Sequence, residues 1–261
     1  MIKLAANLSM MFNEVPFLER FAAAAACGFK AVEFLFPYDY APREVAAALE
    51  DAKLTQALFN LPPGDWAGGE RGIAAIPGRE REFAESVETA LEYAAALRCP
   101  RLHVMAGLRP SGSSIEETER VYESNLRLAA SRCAQRRVDV VIEPINHRDI
   151  PAYYLNTTRQ GIAVIDGVGA PNLKLQLDLY HLQITEGDIA HRIRELGGRF
   201  GHVQIAGNPD RNEPDRGEVN YAYVIDVLDA TGYDGWIGCE YRPKNGTREG
   251  LAWARPYGIN I

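Results

Sequence analysis

Four polar side chains follow short apolar runs along this chain: Glu143 after Val140, Val141 and Ile142; Asp178 after Leu175, Gln176 and Leu177; Gln204 after His202 and Val203; and Glu240 after Ile237, Gly238 and Cys239. Three carboxylates and one amide offer only oxygen donors. Such a set suits a hard divalent cation, Mg²⁺ or Mn²⁺, whereas zinc more often recruits His or Cys. Three negative charges gathered at one place also repel strongly unless a cation or protons neutralise them. A single strand-end carboxylate is usually explained by an Arg or loop amide beside it. Four at intervals close to one strand-plus-helix unit, about 31 residues in an eightfold barrel of about 250, would instead share one rim.

Short β-rich runs alternate along the whole chain with longer Ala-rich stretches of helical periodicity, and these are the elements that must bring the four together. Strands are predicted over residues 4–8, 31–35, 55–59, 101–105, 138–143, 173–178, 200–205 and 236–241. Helices are predicted over 16–27, 42–52, 79–97, 115–135, 158–168, from the sixth strand to about 196, then over 221–230 and 247–253. Gly28 stands where a left-handed cap would close the first helix, and Gly197 and Gly198 stop the sixth. Alternation of this kind implies a parallel sheet with right-handed crossovers, and eight units favour closure into one (β/α)8 TIM-barrel domain over residues 1–261. A doubly wound open sheet would show a Gly-rich turn after the first strand, but Leu8 is followed by Ser9, Met10, Met11 and Phe12. Chemistry in such barrels belongs to the C-terminal strand ends, where all four residues fall.

Two connections are longer than packing needs. Residues 60–78 carry Pro62, Pro63, Asp65, Trp66, Glu70 and Arg71 without periodicity, as a lid or binding loop would, or a surface loop pinned by Trp66. Residues 207–220 carry Arg211 and directly follow Gln204, so their charges hang over the proposed site. His181, one turn beyond Asp178, is placed to meet a substrate oxygen or an ordered water, the alternative being a helix-start histidine facing solvent. His147, on the loop after Glu143, is a further substrate-contact candidate. His202 lies within a strand and reads as structural; His103 has the same setting and stays open. Glu33, on the second strand, either faces the barrel mouth or, as the commoner outcome, anchors a neighbouring loop, and Lys174 lies at the opposite end of its strand from Asp178.

The bulk composition agrees with a small-molecule enzyme. The chain has 261 residues, 47% of them hydrophobic, enough for a large core. A formal charge of −7 argues against broad contact with nucleic acid or anionic membrane, which relies on clustered Lys and Arg. Cys27, Cys99, Cys133 and Cys239 fall singly and read as reduced packing residues in a cytoplasmic protein. No run approaches the roughly 20 apolar residues of a membrane span, and residues 1–9 lack the pattern of an export signal. A homo-oligomer is compatible with all of this.

Several segments also resemble the hydroxypyruvate isomerase family of xylose-isomerase-like TIM barrels. They are Ala-Asn-Leu-Ser-Met at 6–10, Val-Glu-Phe-Leu-Phe-Pro-Tyr at 32–38, Pro-Gly-Asp-Trp-Ala at 63–67, Gly-Glu-Arg-Gly at 69–72, Ile-Pro-Gly-Arg at 76–79, Ile-Glu-Pro-Ile-Asn at 142–146, His-Val-Gln-Ile-Ala at 202–206 and Gly-Cys-Glu-Tyr at 238–241. The opening and the stretches around Gln204 and Glu240 are equally similar to 2-oxo-tetronate isomerases, whose substrate is one carbon longer. The middle, with Trp66, Gly72 and residues 142–147, leans toward hydroxypyruvate isomerase. The resemblance implies that Glu143 and Glu240 form the proton donor and acceptor pair and that Glu143, Asp178, Gln204 and Glu240 ligate a divalent metal. It implies interconversion of hydroxypyruvate and 2-hydroxy-3-oxopropanoate, a small carboxylate-bearing hydroxy-oxo acid. Such a carboxylate needs cationic or amide partners, for which Arg71, Arg211 and His181 are the candidates, with Glu70 and His147 as further expected substrate-binding residues. Sugar epimerases of the group usually carry His at the Gln204 position. The group also contains endonuclease IV-like phosphodiesterases, which need more histidines for their zinc ions.

Overall fold

A computed structural model, describing residues 2–260, closes the predicted strands into one barrel. Among the described residues the strands are β1 (Lys3–Asn7), β2 (Ala31–Glu33), β3 (Thr55–Asn60), β4 (Arg101–His103), β5 (Asp139–Ile142), β6 (Leu173–Asp178), β7 (Phe200–Ile205) and β8 (Trp236–Cys239). Each pairs in parallel with its sequence neighbours, and the ring closes where Lys3 to Ala6 of β1 pair with Trp236 to Cys239 of β8. The helices are α1 (Arg20–Ala26), α2 (Pro42–Asp51), α3 (Glu80–Leu97), α4 (Ile115–Ala134), α5 (Thr158–Val168), α6 (Leu179–Thr185), α7 (Ile189–Leu196), α8 (Tyr221–Ala230) and α9 (Thr247–Gly250).

The side-chain period of two along each strand sorts two environments. Leu4 and Ala6 of β1 join the large apolar core shared with the helices, while Ala5 meets Ala31 and Ala57 in a separate small cluster against Trp236. Asn7, Glu33, His103, Gln176, His202 and Gln204 are all buried, so the barrel carries polar side chains where branched apolar layers are usual. The outer layer supplies the cohesion. Phe21 of α1, fully buried beside Phe34, contributes about 2–3 kcal/mol by its burial alone.

Helix boundaries follow from local chemistry. The side-chain oxygens of Ser114, Thr157 and Asn220 accept from the backbone N–H three residues on and cap α4, α5 and α8. Gly169, with φ of 68°, ends α5 in the left-handed region that only glycine enters without strain. The single helix expected to reach residue 196 is instead two, α6 and α7, because Gly187 and Asp188 take positive φ values of 65° and 46° between them. The first helix opens with a 3-10 turn, Phe17–Glu19, and the last continues as a 3-10 segment, Leu251–Tyr257, in which Pro256 has no N–H to donate. The four cysteines are buried and unpaired. Among the described residues no helix is long and apolar enough to cross a membrane.

Candidate active site

Barrel closure brings the strand-end residues together at the C-terminal rim of four consecutive strands. Glu143 and Glu240 are the first residues beyond β5 and β8, Asp178 is the last of β6, and Gln204 lies one residue before the end of β7. Asp178 pairs in register with Gln204, and Gln204 with Gly238. One ligand atom each from Glu143, Asp178, His181 and Glu240 lies within 4.8 Å of the others, and all four residues are buried.

Each carboxylate of this group has one oxygen held by a neutral donor of the barrel. Glu143 Oε2 accepts from Gln176 Nε2 at 3.0 Å, Asp178 Oδ1 from the Tyr180 backbone N–H at 2.8 Å, and Glu240 Oε1 from Asn7 Nδ2 at 3.1 Å. The second oxygens of Glu143 and Asp178, Oε1 and Oδ2, are buried with no hydrogen-bond partner, and Oε2 of Glu240 accepts from Arg211 Nη2 at 2.6 Å. A buried carboxylate oxygen left without a partner is costly, and an ion among the four would remove that cost. The donor set therefore fits a divalent metal, which the group could hold.

The electrostatics point the same way. Burial, reinforced by Glu240 and Asp178, raises the carboxyl of Glu143 well above its ordinary range. Burial pushes Glu240 up to about 8 and Asp178 to about 6, in both cases against the pull of Arg211. Arg211 itself stays charged, because Glu240, Asp178, Asp149 and Glu143 outweigh the burial that would lower it. Its guanidinium bridges Glu240 and Asp149, lies 3.5 Å from Asp178 Oδ2, and sits over the Tyr180 ring at 4.9 Å. The structure thus meets three crowded acids with one cation of its own.

His181 is neutral: burial and the nearby Arg211 lower its affinity for a second proton. Asn146 Oδ1 accepts from the Asp149 N–H, so its Nδ2 is the group 2.6 Å from His181 Nδ1. Nδ1 must then accept, which leaves the proton on Nε2, directed to Glu143 and Asp178 at 3.7 and 3.5 Å. In that tautomer His181 carries an N–H on Nε2, the nitrogen that also lies 3.5 Å from Arg211 Nη2. His103 does not reach the cavity; its Nδ1 lies 3.1 Å from Asn60 Oδ1, and burial holds its ring down to about 3, so its 3.7 Å approach to Glu143 is no ion pair.

A cavity of about 670 Å³ opens above this floor, with Glu143, His181, Arg211 and Glu240 at its base and Trp66 and Arg71 on its wall. The Trp66 ring carries the Arg71 guanidinium at 4.1 Å and meets Phe36 edge-on at 5.0 Å. Gly72, at φ of 104°, lets this loop pass against Met105, where a Cβ would collide with the backbone. Trp66 thus lines the cavity while its ring packs on Phe36 and Arg71.

Two expected substrate contacts are not at this cavity. Glu70 turns into its own loop, where it accepts from the Asp65 N–H and from Arg79 Nη1, both at 2.5 Å. His147 is exposed, with Nε2 2.9 Å from the Tyr153 carbonyl. Gln204 sits one layer behind the cavity wall: its Oε1 accepts from Gln176 Nε2 at 2.6 Å and its Nε2 donates to Glu33 Oε1 at 2.7 Å. One lone pair of that carbonyl remains for a cation. Glu33 anchors no loop, being buried inside the barrel, and Lys174 pairs with Asp139 at 3.2 Å toward the opposite end. Sequence reasoning passed over Asn7, Gln176 and Asn146. Gln176, two residues before Asp178 on the same strand face, carried a period-two signal; Asn146 carried none.

A closed eight-stranded parallel barrel with buried carboxylates gathered at its C-terminal rim places the chain among TIM barrels, whose chemistry sits at that face. The chain matches the xylose isomerase-like TIM barrel family over residues 21–257 and belongs to it. It is 56% identical to a 2-oxo-tetronate isomerase of Cupriavidus necator over 98% of this chain and 99% of that protein. Identity to the hydroxypyruvate isomerase of Escherichia coli is 48%, over 98% of this chain and all of that one. A crystal structure from Brucella melitensis, described as an AP endonuclease of family 2, superposes with a TM-score of 0.97 at 51% identity, covering 99% of this chain and 100% of that chain. The enzyme class shared by the first two relatives, isomerase, extends to this chain.

Proposed function

We propose that this protein interconverts hydroxypyruvate and 2-hydroxy-3-oxopropanoate through an enediolate, with Glu143 and Glu240 as the proton-transferring pair. The observation that carries the reading is the pair itself: two buried glutamates at the base of one cavity, Glu143 held by Gln176 and Glu240 by Asn7 and Arg211, both with raised proton affinity. One glutamate takes the proton from the hydroxyl-bearing carbon. The other returns a proton to the neighbouring carbon, while the hydroxyl proton passes to the former carbonyl oxygen, so one C–H bond breaks and one forms. Glu143, Asp178 and Glu240, with the Gln204 carbonyl behind them, would hold Mg²⁺ or Mn²⁺. That ion supplies the positive charge that acidifies the substrate carbon and stabilises the enediolate. Arg211 and Arg71 supply charge for the substrate carboxylate, and His181 donates from Nε2.

A second reading, the same chemistry on 2-oxo-tetronate, is favoured by a cavity of about 670 Å³, roomy for a three-carbon acid, and by the 56% identity to the Cupriavidus necator enzyme. Rates on hydroxypyruvate and on 2-oxo-tetronates of both C3 configurations decide between them. The Brucella description suggests phosphodiester cleavage, yet His181 is the one histidine on the cavity wall. Turnover of phosphate esters, with no solvent proton entering either acid by NMR, would defeat the isomerase reading.

A further inference from the structure

Among the described residues, Glu33 of β2 is a buried strand carboxylate that the proposed chemistry does not use. Glu33 is fully buried, does not line the cavity, and sits at a junction of three polar side chains. Its Oε1 accepts from Asn7 Nδ2 at 3.0 Å and from Gln204 Nε2 at 2.7 Å, and its Oε2 lies 2.6 Å from His202 Nε2. The space it occupies is provided by Gly238, where a Cβ would collide with both carboxylate oxygens. Both neighbouring amides connect onward to the active site, Asn7 through the same NH₂ and Gln204 through its opposite end. Asn7 Nδ2 also donates to Glu240 Oε1, and the Gln204 carbonyl meets Gln176 Nε2, which donates in turn to Glu143 Oε2.

Oε1 of Glu33 accepts from both amides. Placed between two primary amides, it requires that both turn their NH₂ groups toward it, and this forces the Gln204 carbonyl oxygen to the other side, toward Gln176 and the acid cluster. Asn7 is held in the same way, with its Oδ1 accepting from the Ser9 N–H at 3.1 Å. We propose that Glu33 is a positioning residue: by fixing both amides it aims the Gln204 carbonyl at the cation site and steadies Glu240, so that one carboxylate beneath the site orients residues of β1, β7 and β8. This rests on the isomerase reading for its kinetic consequence but not for its geometric one.

The test compares full-length Glu33→Met, which matches the side chain in size but accepts nothing, with Glu33→Gln, which keeps one acceptor oxygen for the two amides and can turn its NH₂ to His202. His202 Nδ1 has no partner, so its ring can take the other tautomer. Calorimetry with Mn²⁺, kcat and KM on hydroxypyruvate and 2-oxo-tetronate, and crystal structures are measured for both. The Met variant is expected to weaken Mn²⁺ binding and lower kcat by about 10- to 100-fold, the usual effect of losing a residue that orients a ligand. KM should stay within about threefold, because Glu33 touches no part of the cavity, and the Gln variant should lie at least about fivefold closer to wild type. Mn²⁺ affinity and kcat of the Met variant within about threefold of wild type would overturn the proposal. So would a crystal structure of it with Gln204 still on Gln176 and Asn7 still on Glu240, and this outcome is independent of which acid is turned over. If the Met variant does not fold, Asn7→Ala takes its place, removing the donor shared by Glu33 and Glu240 together with the acceptor for the Ser9 N–H; an unchanged kcat there likewise overturns the proposal.

Discussion

Glu143 and Glu240 have similar surroundings and differ in their partners. Gln176 and Asn7 hold one oxygen of each, but the other oxygen of Glu240 accepts from Arg211 while that of Glu143 has no hydrogen bond. If the two share proton transfer, Glu143→Gln and Glu240→Gln should each reduce kcat by about 10² to 10⁴, the scale of one acid or base group. Steady-state kinetics at saturating cation checks this, and turnover within about threefold of wild type in both variants would remove the proton shuttle. The identities of these residues were legible in the sequence because a glutamate directly after an apolar strand is an expensive choice without a purpose. The role of Glu33 was not legible. It stands mid-segment in Ala-Val-Glu-Phe-Leu, and its partners Asn7, His202 and Gln204 come from strands far away in sequence.

At the level of elements, the junction of β6 and α6 does two jobs with one side chain. Asp178 Oδ1 caps α6 through the Tyr180 N–H, and Oδ2 is left free toward the site. The two roles should separate by substitution. Asp178→Ala removes both and should lower stability by about 1 kcal/mol as well as cation affinity, whereas Asp178→Asn keeps a capping oxygen and should lose mainly cation affinity. Denaturant titration and calorimetry on the two variants read this directly; equal stability losses would mean that the cap contributes nothing. The loop after β3 offers a second check. Trp66 shapes the cavity wall and supports Arg71, so Trp66→Ala should raise KM by about 5- to 30-fold, equivalent to about 1–2 kcal/mol of lost stacking, with kcat little changed. A KM unchanged by Trp66→Ala would place the substrate elsewhere in the cavity. The length and composition of this loop marked it as functional in the sequence. Which of its charges would face inward depended on Arg79, whose grip on Glu70 no local pattern announces.

Over the whole molecule the buried acids tie stability to pH and to the cation. Burial holds Glu240 up to about 8, above the value of about 4.3 for an unfolded glutamate, so between pH 6.5 and 8 the folded chain retains protons that the unfolded chain has released. Stability of the cation-free protein must then fall as pH rises through this window. His103 and His181, both lowered by burial, act in the opposite sense, but only as pH drops below about 6.5, where unfolded histidines charge. Scanning calorimetry with chelator should show Tm declining from pH 6.5 to 8. Saturating Mg²⁺ or Mn²⁺, which binds the deprotonated acids of the folded chain, should abolish the decline. A Tm independent of pH in both conditions would contradict the buried, uncompensated setting of these carboxylates. By itself the sequence determined the alternation of strand and helix, hence the parallel barrel and the rim that carries the acids, because periodicity and strand-end position are local properties of the chain. Only the tertiary structure decided which donors hold each carboxylate, that Arg211 enters the cluster while Glu70 and His147 do not, and that a carboxylate lies beneath the site. Those outcomes depend on distances between side chains from different strands, which barrel closure sets and no local stretch of sequence encodes.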